Sequence, residues 1–61
     1  MKAIFLEDVE IRDGRKKMLV NKGDEMTATD RGEYYELRRA DGVGTMAPKS
    51  AEGKIYKIVE D

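Results

Sequence analysis

Thirteen aspartates and glutamates carry nearly all of the acid–base capacity that this chain has near neutral pH. Histidine and cysteine are absent. That removes the commonest metal ligand, the usual general base, thiolate nucleophiles, thiolate zinc sites and disulfides together. Several of the carboxylates sit beside glycine, in Asp13-Gly14, Gly23-Asp24, Asp41-Gly42 and Glu52-Gly53, and such pairs mark turns. None falls on a segment apolar enough to desolvate it, so solvated surface charge is the expected role. Asp30-Arg31-Gly32 and Asp41-Gly42 lack the alternating carboxylates of a calcium loop. Gly42-Val43-Gly44 is too short to cradle a phosphate. No catalytic constellation, metal or cofactor is expected, and the chain reads as a non-enzyme.

Two other sets of side chains could do binding chemistry. The first is aromatic: Phe5, Tyr34, Tyr35 and Tyr56, with the single proline, Pro48. The second is basic: Arg12, Arg15, Lys16, Lys17, Lys22, Arg38 and Arg39, which meet phosphate only if the fold gathers them on one face. Acidic neighbours are interleaved throughout. Twelve basic against thirteen acidic residues leave a net charge of −1. This is neither the surface of a general nucleic-acid binder nor the acidic excess of a DNA mimic. No apolar run approaches the roughly 20 residues of a membrane span and no signal peptide opens the chain, so no membrane partner is expected.

The elements that must position these side chains are short. Charged residues make up 41% of the chain, but turn signals recur so closely that runs of about five to ten residues lie between them, the length of strands. In Lys2 to Ile11, Ala3, Phe5, Val9 and Ile11 share one parity and Ile4 and Leu6 the other, with a bend or bulge expected at Glu7-Asp8. Arg12 to Lys17 reads as an exposed turn or loop tip. Met18 and Val20 then alternate before the turn Asn21-Lys22-Gly23-Asp24. A strand over Glu25 to Thr29 returns through a hairpin, with Gly32 in its left-handed position, as Tyr34 to Arg39. There Tyr35 and Leu37 face inward, and Tyr34, Glu36 and Arg38 outward. Ala40-Asp41-Gly42 leads into Val43 to Ala47, which Pro48 ends. Pro48 to Gly53 suits a single 3₁₀ turn, and Lys54 to Val59 closes against the first strand. The expectation is one all-β domain over residues 1–61, a five-stranded antiparallel barrel or sandwich. Ala3, Met18, Val20, Met26, Ala28, Leu37, Met46 and Ile58 should lie inside.

In this order the motifs resemble an SH3 domain over nearly the whole chain. Ala3-Ile4-Phe5 is similar to the Ala-Leu-Tyr start, and Lys22-Gly23-Asp24 to the diverging turn. Tyr34-Tyr35 is similar to the paired-aromatic strand, and Gly44 shortly before Pro48 to the Gly and Pro that follow it. The resemblance implies an SH3-like barrel that binds proline-rich segments in an aromatic groove beside an acidic loop. It places Phe5 on the first groove aromatic, Tyr34 on the groove tryptophan and Pro48 on the groove proline. Glu7 stands where a second tyrosine is expected, and Tyr56 is the candidate for a tyrosine displaced by an insertion. Lys17 occupies the acidic position before the diverging turn, leaving Glu7, Asp8, Glu10 and Asp13 as the loop's negative charge. Tyrosine for tryptophan gives a smaller face without the indole donor.

The chain begins with Met1 and reads as a complete, free-standing product of bacterial or phage origin, cytoplasmic, that acts by occupying another macromolecule's surface. A protein partner is expected at Phe5, Tyr34, Pro48 and Tyr56, with Glu7 and Asp8 at the rim. The alternative is nucleic acid at Arg15, Lys16, Lys17, Arg38 and Arg39. Self-association into an assembly is the third possibility.

Overall fold

Strands form wherever the turn signals leave room for them. A computed structural model describes residues 1–60 and, for Asp13, the backbone alone. The chain runs through β1 (Lys2–Phe5), β2 (Val9–Asp13), β3 (Lys16–Val20), β4 (Glu25–Asp30), β5 (Tyr34–Arg38), β6 (Gly44–Pro48), a 3₁₀ turn (Lys49–Ala51) and β7 (Tyr56–Val59). Five strands make one sheet in the order β6-β5-β4-β1-β7, and β2 with β3 form a separate ribbon. All pairings are antiparallel within both sheets.

The architecture is all-β, but the expected five strands are seven. Glu7 and Asp8 break the first run completely: β1 stays in the large sheet and β2 leaves it. Arg12 to Lys17, expected as a loop tip, is paired strand as far as Asp13↔Lys16, with the turn confined to Gly14-Arg15. Nor is a closed barrel found. β7 does pair with β1, through Ala3↔Ile58 and Phe5↔Tyr56, yet β6 at the opposite edge pairs with β5 alone.

Period-two patterning builds the core. Ala3, Met18, Val20, Met26, Ala28 and Leu37 are buried as the alternation implies, joined by Phe5, Ala47 and Tyr56. Ile58 is only half-buried, packed against that cluster. Met46 is the error: it is 56% exposed, and Ala47 takes the inward place. The hairpin decides this, because a one-residue change of register turns every side chain over. Arg39 N–H donates to the Val43 carbonyl at 2.8 Å, and Gly42 takes φ +93° between them. That three-residue loop sets Leu37 opposite Thr45 and Glu36 opposite Met46.

The preceding hairpin follows the same logic. Gly32, at φ +96°, donates its N–H to Asp30 Oδ1 at 2.8 Å, and Arg31 N–H donates to the Tyr34 carbonyl at 2.9 Å. The turn at Asn21–Asp24 is tied to β1 on both sides. Gly23 N–H donates to the Phe5 carbonyl at 2.8 Å, and Phe5 N–H to the Asp24 carbonyl at 2.9 Å. Among the described residues, no helix is long and apolar enough to cross a membrane.

Candidate functional site

The β5–β6 ladder sets which groups β6 offers to the outside. Arg39 N–H bonds the Val43 carbonyl at one end, and Lys49 N–H bonds the Glu33 carbonyl at the other, at 3.3 Å. Antiparallel pairs alternate between hydrogen-bonded and non-hydrogen-bonded. Tyr35↔Ala47 and Leu37↔Thr45 therefore exchange bonds, while Tyr34↔Pro48, Glu36↔Met46 and Arg38↔Gly44 do not. The backbone groups of Gly44, Met46 and Pro48 point away from β5, toward the open edge. Pro48 has no N–H to give, and its carbonyl already accepts the Tyr56 hydroxyl at 2.7 Å.

That edge borders an apolar cleft of about 180 Å³ between β6 and the ribbon. Val9 and Ile11 of β2 form one wall, Met46 and Pro48 the other, and Phe5 and Tyr56 the floor. Phe5 and Tyr56 are core residues, 2% and 1% exposed, with ring centroids 6.0 Å apart. They shape the cleft from beneath rather than present open faces. Tyr34 and Pro48 are cross-strand neighbours on the outer face, and Tyr34 is 38% exposed. The structure thus brings Phe5, Pro48 and Tyr56 to one cleft and sets Tyr34 beside its lip. The cleft walls Val9, Ile11 and Met46 were not among the expected site residues. Their only signal in the sequence is the shared parity of Val9 and Ile11, in a run that reads as one strand.

The rim acids stand elsewhere. Asp8 accepts the Lys22 N–H at 2.8 Å, and so braces the turn at Asn21–Asp24. It lines a separate hollow with Val9, Glu10 and Leu19. Glu7 is exposed in the bend between β1 and β2. The side chain of Asp13 lies outside the described residues.

The basic residues are divided too. Lys16 and Lys17 line a hollow of about 310 Å³ with Ile11, Met18, Val43 and Gly44. It adjoins the apolar cleft at Ile11, so the two together run the length of β6. Arg39 reaches the ribbon, where its Nη2 donates to the Leu19 carbonyl. Arg38 instead bonds Glu36 at 2.9 Å, and Arg31 reaches the same carboxylate at 2.8 Å. Arg15 is exposed at the ribbon turn.

Three charged groups are visibly tuned by partners. Hydrogen bonds from Arg38 and then Arg31 hold the Glu36 carboxyl below its usual value. The Lys49 ammonium, with the Gly32 N–H, does the same for Asp30, and Asp30 in turn raises Lys49. Lys49 Nζ also lies 4.9 Å from the Tyr35 ring centroid. Lowered carboxylates favour the folded state above the ordinary carboxylate range, and that contribution disappears as pH falls through their lowered values. The raised lysine contributes below the ordinary lysine range and loses its effect as pH rises through its raised value. The thermal midpoint is expected to fall in acid, and Glu36→Gln to flatten that fall. An acid limb unaltered in Glu36→Gln would exclude this carboxylate as a source.

Among the described residues, no group of three or more carboxylates is placed to hold a metal ion. Comparison with protein families, with curated proteins and with solved structures finds no match.

Proposed function

We propose that this chain is a non-enzymatic, SH3-like interaction module that binds an extended segment of another protein along β6. The observation that carries the reading is the juxtaposition at Pro48. An exposed tyrosine, Tyr34, stands directly across from it on β5, and an apolar cleft opens at its side. Aromatic side chains beside a desolvated hollow are the usual anchors of protein interfaces, because they bury large area at low entropy cost. The order of Ala3-Ile4-Phe5 on β1, the turn at Lys22-Gly23-Asp24, Tyr34-Tyr35 on β5 and Pro48 at the end of β6 supports the SH3-like part of the reading.

Titration of a captured or synthetic extended peptide against the wild type and Tyr34→Ala tests it. The variant is expected to lose about 1–3 kcal/mol of binding with an unchanged thermal midpoint. Binding that depends weakly on salt and is weakened by Tyr34→Ala supports the reading; undiminished binding by the variant rejects it.

Nucleic acid is the second reading, favoured by the contact that draws Arg39 onto β3, the strand that also carries Lys16 and Lys17. Neutralising Arg15, Lys16 and Lys17 would then abolish binding, and affinity would fall steeply between about 50 and 200 mM salt as counterions are released.

A further inference from the structure

Edge strands are commonly guarded by charge, because an unguarded edge pairs with other chains. Of the two edges of the large sheet, β7 carries Lys57, whereas β6, Gly44-Thr45-Met46-Ala47-Pro48, carries no charge at all. Its guard is Pro48, and that protects only one end, because Pro48 lacks an N–H and its carbonyl is taken by Tyr56. Met46 keeps both its N–H and its carbonyl directed at the open edge, with no partner among the described residues.

The hollows beside this edge differ in chemistry. The one at the Pro48 end has no charged side chain in its lining. The one at the Gly44 end holds Lys16 and Lys17, and no described carboxylate lines it. Neither lysine has an ion-pair partner among the described residues. An added strand rises about 3.3 Å per residue and shows alternate side chains to one face. Gly44 and Pro48 lie four positions apart at the two ends of β6, so one strand would present side chains four apart to the two hollows.

Resting on the interaction-module reading above, we propose that the partner is an extended acidic–apolar segment that adds to the sheet as a strand beside β6. Its backbone pairs with Met46, an apolar side chain enters the cleft over Phe5 and Tyr56, and a carboxylate four residues away meets Lys16 and Lys17. The pairing supplies affinity through the main chain, and the two hollows supply selectivity. Lysines at this end favour a carboxylate over a basic group, since like charges across an interface are costly.

The test uses fluorescence anisotropy with labelled seven-residue peptides: Asp-Glu-Thr-Val-Thr-Ile-Thr, its reversed sequence, the same pair with Lys-Lys for Asp-Glu, and a proline-arginine peptide. One acidic peptide is expected to bind at least roughly tenfold more tightly than its lysine counterpart. Lys16→Glu with Lys17→Glu should reverse that preference. Met46→Pro should abolish binding, because it removes the outward N–H and spares the bonds to β5; circular dichroism and the thermal midpoint report whether it folds. Equal affinity for acidic and basic peptides, or full binding by folded Met46→Pro, overturns the proposal. Preference for the proline-arginine peptide, lost in Tyr34→Ala, overturns it too while leaving the interaction module standing. Retention of single-stranded DNA with no peptide binding overturns both.

Discussion

Leu37→Ala is expected to unfold the domain. Leu37 is fully buried on β5, between Ala28 of β4 and Thr45 of β6. It is among the largest fully buried side chains, and its cross-strand partner on β4 is only an alanine, Ala28. An alanine opposite cannot swing in to fill the space it would leave. Truncations of this kind cost about 2–5 kcal/mol, more where the site cannot collapse. A chain of 61 residues rarely holds more than about 3–5 kcal/mol in a single core. The loss is therefore comparable to the whole stability. Leu19→Ala is the control, because Leu19 is exposed on the ribbon and such changes stay within about 0.5 kcal/mol. Denaturant unfolding followed by circular dichroism separates the two. A cooperative transition for Leu37→Ala near that of Leu19→Ala would contradict the burial of Leu37 in the core.

Leu37 also shows why much of this fold is legible in the sequence. Its strand and the one before it alternate cleanly and are joined by glycine turns with one available geometry, so inward and outward residues follow from parity. Tyr34 outside, Tyr35 half-buried and Leu37 inside are all read that way. The ribbon was not legible. Arg12-Asp13-Gly14-Arg15-Lys16-Lys17 has no apolar alternation, and its pairing is supplied by the strands that precede and follow it. Nor was Met46. Between an exposed methionine and a buried alanine, hydrophobicity alone chooses wrongly, and only the Arg39–Val43 turn fixes which faces inward. The same limit holds at the site. Sequence order set Tyr34 and Pro48 together, but how deep Phe5 and Tyr56 lie depends on the ribbon folding over them. In the sequence Lys16 and Lys17 suit phosphate, and their place at one end of an apolar edge is set only by the tertiary fold.

Tyr56 joins the core to that edge, and its substitutions should separate the two roles. The ring is buried against Phe5 and, edge-on at 6.3 Å, against Tyr35. Burial raises its pKa, so the phenol stays protonated and keeps donating to the Pro48 carbonyl through the neutral range. Tyr56→Ala removes an aromatic side chain from the core and is expected to cost about 3–5 kcal/mol, as other buried aromatic truncations do. Tyr56→Phe keeps the ring and deletes only the donor. Its cost should be about 0.5–1.5 kcal/mol, the net worth of one hydrogen bond, and the domain should remain folded. The Pro48 carbonyl, released from its partner, would then face the open edge as an extra acceptor. Denaturant midpoints for the two variants measure the difference directly. A Tyr56→Phe variant as unstable as Tyr56→Ala would mean that the hydroxyl, not the ring, holds β7 to the end of β6. Equal stability of Tyr56→Phe and wild type would mean that the bond contributes nothing. The intermediate value is the one expected of a ring that holds the core and a hydroxyl that closes one end of the open β6 edge.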